Sequence, residues 1–264
     1  MTMSFFLNGD MGDFESADFN ETVGRPNRSL LTKQDDLPLV TEKLRIPTCV
    51  DIVHRPRLHE LLERSRGQFG GTLISGRSGT GKTALAAEFV AGKNKVAWYS
   101  VDPSDADWSV FARYFSAATG GKRAKKSVPD GRDRAALGQF LGDCLSAGKN
   151  GGRLVVLDNI HHLFDADWFC DFFVLMLQSL DPESHALMLC RSKPPAPLWR
   201  LRSKQVLNVV DERLLAFTSA EAEELCKLRG IPKTAARAFQ SESFGRASKL
   251  MQFINGGKSS VPIH

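Results

Sequence analysis

The stretch LISGRSGTGKTAL, residues 73–85, constrains this chain more than any other. An apolar run enters a glycine-rich turn, and a helix-forming run leaves it with Lys82 and Thr83 at the junction. Gly76, Gly81, Lys82 and Thr83 satisfy the pattern GxxxxGK followed by Ser or Thr, and Gly79 adds a third permissive position. Glycines reach backbone conformations that other residues resist, so the amides of Arg77, Ser78, Gly79, Thr80 and Gly81 can turn inward onto a polyanion. The helix that starts near Lys82 adds unsatisfied N–H groups and the positive end of its dipole. Lys82 is expected on the β and γ phosphates of a nucleotide, and the Thr83 hydroxyl on Mg²⁺.

A phosphate loop needs a strand before it and a helix after it, and the rest of the chain supplies the sheet. Short apolar runs at 72–75, 95–101, 153–158, 185–190 and 205–210 alternate with helical patterns at 82–92, 107–118, 134–147 and 166–180. That alternation predicts an α/β fold: a three-layer P-loop NTPase with a parallel sheet between helices. The run RLVVLD ends in Asp158, a strand-terminal acid suited to the second Mg²⁺ contact. The 95–101 strand falls between the loop strand and the Asp158 strand, which points to P-loop proteins with an inserted strand. In that branch the residue after the acid often prepares the attacking water. Here it is Asn159, whose amide can hold a water but cannot take its proton, so slow hydrolysis is expected.

After residue 210 the strands stop, and three short helical patterns form a small C-terminal lid, the first with Thr218 and Glu221 spaced as a capping box. The expected divisions are an acidic, disordered tail over 1–40, a nucleotide-binding domain over 41–212 and a helical lid over 213–264. The tail carries seven acids against three bases, although the chain as a whole has a net charge of +5. The basic segment GGKRAKKSVPDGRDR, residues 120–134, reads first as a solvated loop, so nucleic acid is permitted as a partner but no motif calls for it. Five scattered cysteines without a CxxC pair suit a reducing cytoplasm, and no secretory signal or membrane-spanning run is visible.

Beyond the loop, an ordered series of segments resembles the nucleotide-binding module of the STAND ATPases, in the MalT-like branch of large LuxR-type regulators. The series begins at TEKLRIPTCVDIVHRPRLHELLE with Lys43, Leu44, Pro47, Arg55 and Leu58, and continues in VAWYSVDPSDADWSVF with Trp98, Asp102, Asp105, Asp107 and Phe111. LVVLDNIHHL keeps Asp158 and His161, LMLCRSKPPAPLWRLR carries Arg191, and LLAFTSAEAEEL closes the likeness, which spans about residues 41–255. The resemblance implies a sensor position near the γ phosphate for Arg191 and a place on the adenine side for Arg55. His161 is either a satisfied half-buried histidine or a catalytic one. Asp102, Asp105 and Asp107 read as turn and cap residues rather than a metal cluster.

Two departures limit what the resemblance implies. Asn159 stands where the family usually has a second acid, and FGRAS, residues 244–248, replaces the family's GWP element in the lid. The family's superhelical repeats and helix-turn-helix have no counterpart in these residues, so DNA reading is not carried over. The expected function is an ATP- and Mg²⁺-binding switch with slow hydrolysis and a protein partner or self-association in the nucleotide-bound state. A helper ATPase stimulated by DNA or self-assembly, and a module that holds nucleotide without cleaving it, are the rival readings.

Overall fold

The computed structural model describes residues 38–49, 53–120, 128–146 and 152–257. The expected acidic tail lies outside these residues up to position 37, as do residues 121–127 of the basic segment. Where that segment re-enters, Arg132 and Arg134 pair with Asp167 and Asp171 on the surface.

Five strands form one parallel sheet: β1 (Gly71–Ser75), β2 (Val96–Ser100), β3 (Leu154–Asp158), β4 (His185–Cys190) and β5 (Leu207–Val210), in the order β2-β3-β4-β1-β5. All pairings are parallel, with Leu73 opposite both Met188 and Val209, and Leu157 opposite both Tyr99 and Met188. The central strand β4 is buried along its whole length, as a strand covered on both faces must be. It separates β1 from β3, so the inserted-strand expectation holds in space. The consequence is positional: Ser75, Asp158 and Cys190 end at the same edge of the sheet, where ligands of open α/β sheets bind.

One face of the sheet is covered by α1 (Pro56–Gln68) and α2 (Lys82–Val90), whose Leu58, Leu62, Leu85 and Phe89 pack on Ile74, Trp98, Val156 and Leu187. The other face is aromatic. Tyr99 stacks on Tyr114 of α3 (Trp108–Thr119), and Phe111 and Phe115 meet Phe172 of α5 (Phe169–Ser179) edge to face. Such pairs add about 0.5–1.5 kcal/mol each beyond their burial. Helix α4 (Arg134–Leu145) sits beside them, capped by Asp133, while α6 (Ala196–Ser203) leads into β5.

Helix α1 was not expected as a helix, although Pro56 in its first turn and the Leu58, Leu62, Ser65 spacing are start and face signals. Past β5, α7 (Glu212–Leu215) straddles the expected 212/213 division. Then α8 (Ser219–Leu228), α9 (Lys233–Ser243) and α10 (Ala247–Gly257) gather around their own apolar cluster, which includes Leu225, Ala236, Leu250 and Ile254. The Thr218–Glu221 capping box is formed as read.

At the edge of the sheet opposite Asp158, a buried polar network replaces apolar packing. His185 Nδ1 meets the Phe69 carbonyl and its Nε2 meets Thr72 Oγ1, each at 2.9 Å; Thr72 continues to Ser65, and Asn208 donates to Ser65. Burial lowers the His185 pKa to about 4, against a smaller opposing effect of the Phe69 carbonyl. The unfolded chain then binds the proton first as pH falls below 6.5, so stability is lost between pH 6.5 and about 4 and is level above that window. The loss from this one ring is expected to approach about 3 kcal/mol. Denaturant unfolding at stepped pH, with the His185 ring followed by NMR, checks this; a ring that titrates at its ordinary value contradicts it.

Candidate nucleotide site

The loop between β1 and α2 has the backbone that its glycines foretell. Gly79 and Gly81 have φ of 77° and 87°, a region that costs a residue with a side chain, and Gly81 is the N-cap of α2. The Lys82 side chain is 7% exposed and curls back over the loop. Its ammonium donates to the carbonyls of Gly76 and Arg77 and to Thr80 Oγ1. Burial lowers the Lys82 pKa, and Asp158 opposes that shift. All three donors of the ammonium are therefore held by loop oxygens that a phosphate can replace.

Thr83 and Asp158, the two residues predicted to hold the metal, are in contact: the Thr83 hydroxyl donates to Asp158 Oδ2 at 2.9 Å. Asp158 is 4% exposed and its Oδ1 has no hydrogen-bond partner. Burial raises the Asp158 pKa, while Thr83, the Asn159 amide and Lys82 pull the other way. A buried carboxylate oxygen left without a donor, beside a hydroxyl, is a hard-oxygen donor set of the kind that suits Mg²⁺. The residues present fit the ion.

Asn159 follows in the left-handed region at φ 61°, which Asn and Asp tolerate better than other side chains. His161 is half-buried, and its Nδ1 has no hydrogen-bond partner among the described residues. Burial lowers its pKa to about 4, with His162, Arg191 and Lys82 adding to the effect, and it is neutral at pH 7. Arg191 follows the end of β4, is exposed, and places its charge close enough to act on Lys82, Asp158 and His161. Thr83 and Asp158 are thus in contact, with Lys82, His161 and Arg191 within electrostatic reach of one another.

Arg55 packs between the leading segment and the lid. It is 5% exposed and donates to the carbonyls of Leu215 and Ala216 and to Glu221, while its guanidinium lies 4.2 Å from the centre of the Phe217 ring. Burial lowers its pKa and Glu221 counters that. Arg57 holds the same carboxylate. Among the described residues these contacts make Arg55 a clamp from the leading segment to the lid. Lys43 plays the matching part at the other end of that segment, with Asp102 at 2.7 Å and Asp105 at 2.8 Å. Asp102 and Asp105 form a capping box and Asp107 caps α3, as read.

Two contributors were not visible in the sequence. Glu212 of α7 accepts from the Arg77 amide at 3.1 Å and pairs with the Arg77 guanidinium, which places a carboxylate on one of the predicted phosphate donors. Arg246, ahead of α10, donates to the Ser78 carbonyl, and the Ser248 amide donates to the Gly79 carbonyl at 2.8 Å. The approach is close enough that a Cβ on Gly79 would lie 2.3 Å from Ser248 Oγ. Neither residue lies near the loop in sequence, so only tertiary packing brings them there.

Comparison with known proteins agrees with this geometry. A family profile described as AAA domain matches residues 66–190. The chain is similar to the HTH-type transcriptional regulator MalT of Serratia proteamaculans, with 30% identity over 201 residues, covering 72% of this chain and 22% of that protein. It is also similar to the MalT of Vibrio cholerae, with 29% identity over 175 residues, covering 63% and 19%. The chain thus spans about a fifth of the length of these curated relatives. Among solved structures, a STAND protein with a tetratricopeptide repeat sensor from Pyrococcus horikoshii shares the fold at TM-score 0.55 and 18% identity, over 86% of this chain and 33% of that one. A Walker-type ATPase of Pyrococcus abyssi does so at TM-score 0.54 and 12% identity, over 80% and 69%. No helix among the described residues is long and apolar enough to cross a membrane. This chain carries a P-loop ATPase nucleotide-binding domain similar to that of MalT, and it shares its fold with a STAND protein.

Proposed function

We propose that the domain binds ATP with Mg²⁺ in the cytoplasm and works as a regulatory switch that hydrolyses slowly. The observation that carries this reading is the direct seating of the lid on the phosphate loop, through Arg246 on the Ser78 carbonyl and the Ser248 amide on the Gly79 carbonyl. A loop that rearranges around a triphosphate alters the same carbonyls that hold the lid. Occupancy and lid position are then two readouts of one equilibrium, and a protein partner or a second copy is recognised through the lid.

In this reading the triphosphate takes the three Lys82 donors from Gly76, Arg77 and Thr80, and the loop amides turn onto its oxygens. Thr83 and Asp158 would hold Mg²⁺, which when bound offsets the negative charge of the phosphates. In this reading Arg191, which follows β4, would approach the γ phosphate, where charge grows during cleavage. Asn159 can orient a water but leaves its proton in place, which makes hydrolysis slow.

Hydrogen exchange tests the coupling. The Ser248 amide and the first turn of α10 are expected to exchange at different rates with bound ADP and with a non-hydrolysable ATP analogue. Equal protection in both states, with both nucleotides shown to be bound, contradicts a switch and favours a module that holds nucleotide as a structural cofactor.

A further inference from the structure

On the far end of the P-loop helix, His54, His59 and Glu88 converge from three separate places in the fold. His54 lies just before α1, His59 lies in its first turns, and Glu88 lies near the end of α2. Glu88 Oε1 is 2.6 Å from His54 Nδ1, Glu88 Oε2 is 3.2 Å from His59 Nε2, and the three ligand atoms lie within 4.8 Å of one another. The second contact lacks the alignment of a hydrogen bond, and both His59 Nε2 and Glu88 Oε2 are buried without a partner. With the His59 proton on Nδ1, Nε2 and Glu88 Oε2 are two facing electron-pair donors, buried and unsatisfied, which a Lewis acid between them would relieve.

We propose that these three residues form a divalent transition-metal site, of the class occupied by zinc. Two imidazoles and one carboxylate are the donor set of borderline ions; Mg²⁺ and Ca²⁺ prefer all-oxygen sites. The His59 ring is fixed edge-on against Phe89 at 5.8 Å, and the two histidine rings meet at 4.8 Å. His54 is the exposed member, with 61% of its side chain open to solvent, so water can complete a tetrahedral shell on that side. The positive charge of Arg55 also reaches Glu88, but Glu221 already neutralises it. An ion in this position fastens the stretch carrying Arg55, and through it the lid, to the helix that begins at Lys82.

The test uses the full chain, freed of metal by chelation, titrated with zinc chloride without nucleotide. One equivalent is expected to bind and to raise the melting temperature. His54→Ala, at an exposed position that the fold tolerates, is expected to weaken binding tenfold or more, and Glu88→Gln to do the same. Cobalt in place of zinc should give a tetrahedral spectrum without a thiolate charge-transfer band, which separates this site from the cysteines. No binding by the wild type, unchanged affinity in both variants, or a thiolate band would each overturn the proposal.

Discussion

Lys82→Ala is expected to weaken Mg-ATP binding by about tenfold to a hundredfold while leaving the fold intact. Charge-assisted hydrogen bonds contribute roughly 1.5–3 kcal/mol each to net stability, and the ammonium has three to offer. The whole of that sum is not gained on binding, because those donors already serve the Gly76 and Arg77 carbonyls and Thr80. What remains is the difference between a neutral carbonyl and a phosphate anion as acceptor, in a place where the lysine is 7% exposed. Fluorescent-nucleotide displacement measures the loss, and circular dichroism controls for folding. An affinity equal to that of the wild type would mean that the triphosphate does not meet Lys82.

The second large effect is a gain. Asn159→Asp is expected to speed hydrolysis at least tenfold, since a positioned general base contributes typically 10²–10⁴-fold and the new carboxylate starts from an unoptimised setting. The backbone favours this substitution: φ at residue 159 is 61°, and Asp shares with Asn a tolerance of that region, so little strain is added. The cost lies in charge, because the new acid neighbours Asp158, whose pKa burial already raises. Lys82 and Arg191 offset part of it. Single-turnover measurement isolates the chemical step; an unchanged rate would show that slow cleavage does not come from a missing base.

Much of this was legible because the physics is local. Each strand announces itself as a short apolar run, and each strand of the sheet overlaps the run expected for it, with ends shifted by no more than two residues. The cradle is legible for the same reason: Gly76 to Thr83 is contiguous, and its chemistry depends on backbone freedom at Gly79 and Gly81. Helix α1 is hard to see in the sequence because its short apolar face, Leu58 and Leu62, is set among charged residues. Arg55 shows what a local pattern leaves out: its partners Glu221, Leu215 and Ala216 lie about 160 positions away in the chain. Glu212 and Arg246 are further cases, since their roles come from where α7 and α10 settle on the loop.

That placement gives the recurrent motifs a physical meaning. Lys43 with Asp102 and Asp105, and Arg55 with Glu221, pair segments that look like separate signatures in the sequence. Each pair is an ionic tie between the leading segment and a different part of the domain, so the segment is anchored at both ends. Removing Glu221 leaves the buried Arg55 charge stranded, which is the costly outcome, whereas Glu221 without Arg55 keeps Arg57.

The central claim is that backbone amides and one lysine at a strand-to-helix bend receive a purine triphosphate. Titration calorimetry of the full chain with ATP in the presence of Mg²⁺ tests it most directly. One saturable site per chain, weakened on removal of Mg²⁺ by chelation, is the predicted result. No heat from ATP or GTP across the temperatures at which the protein stays folded would contradict it.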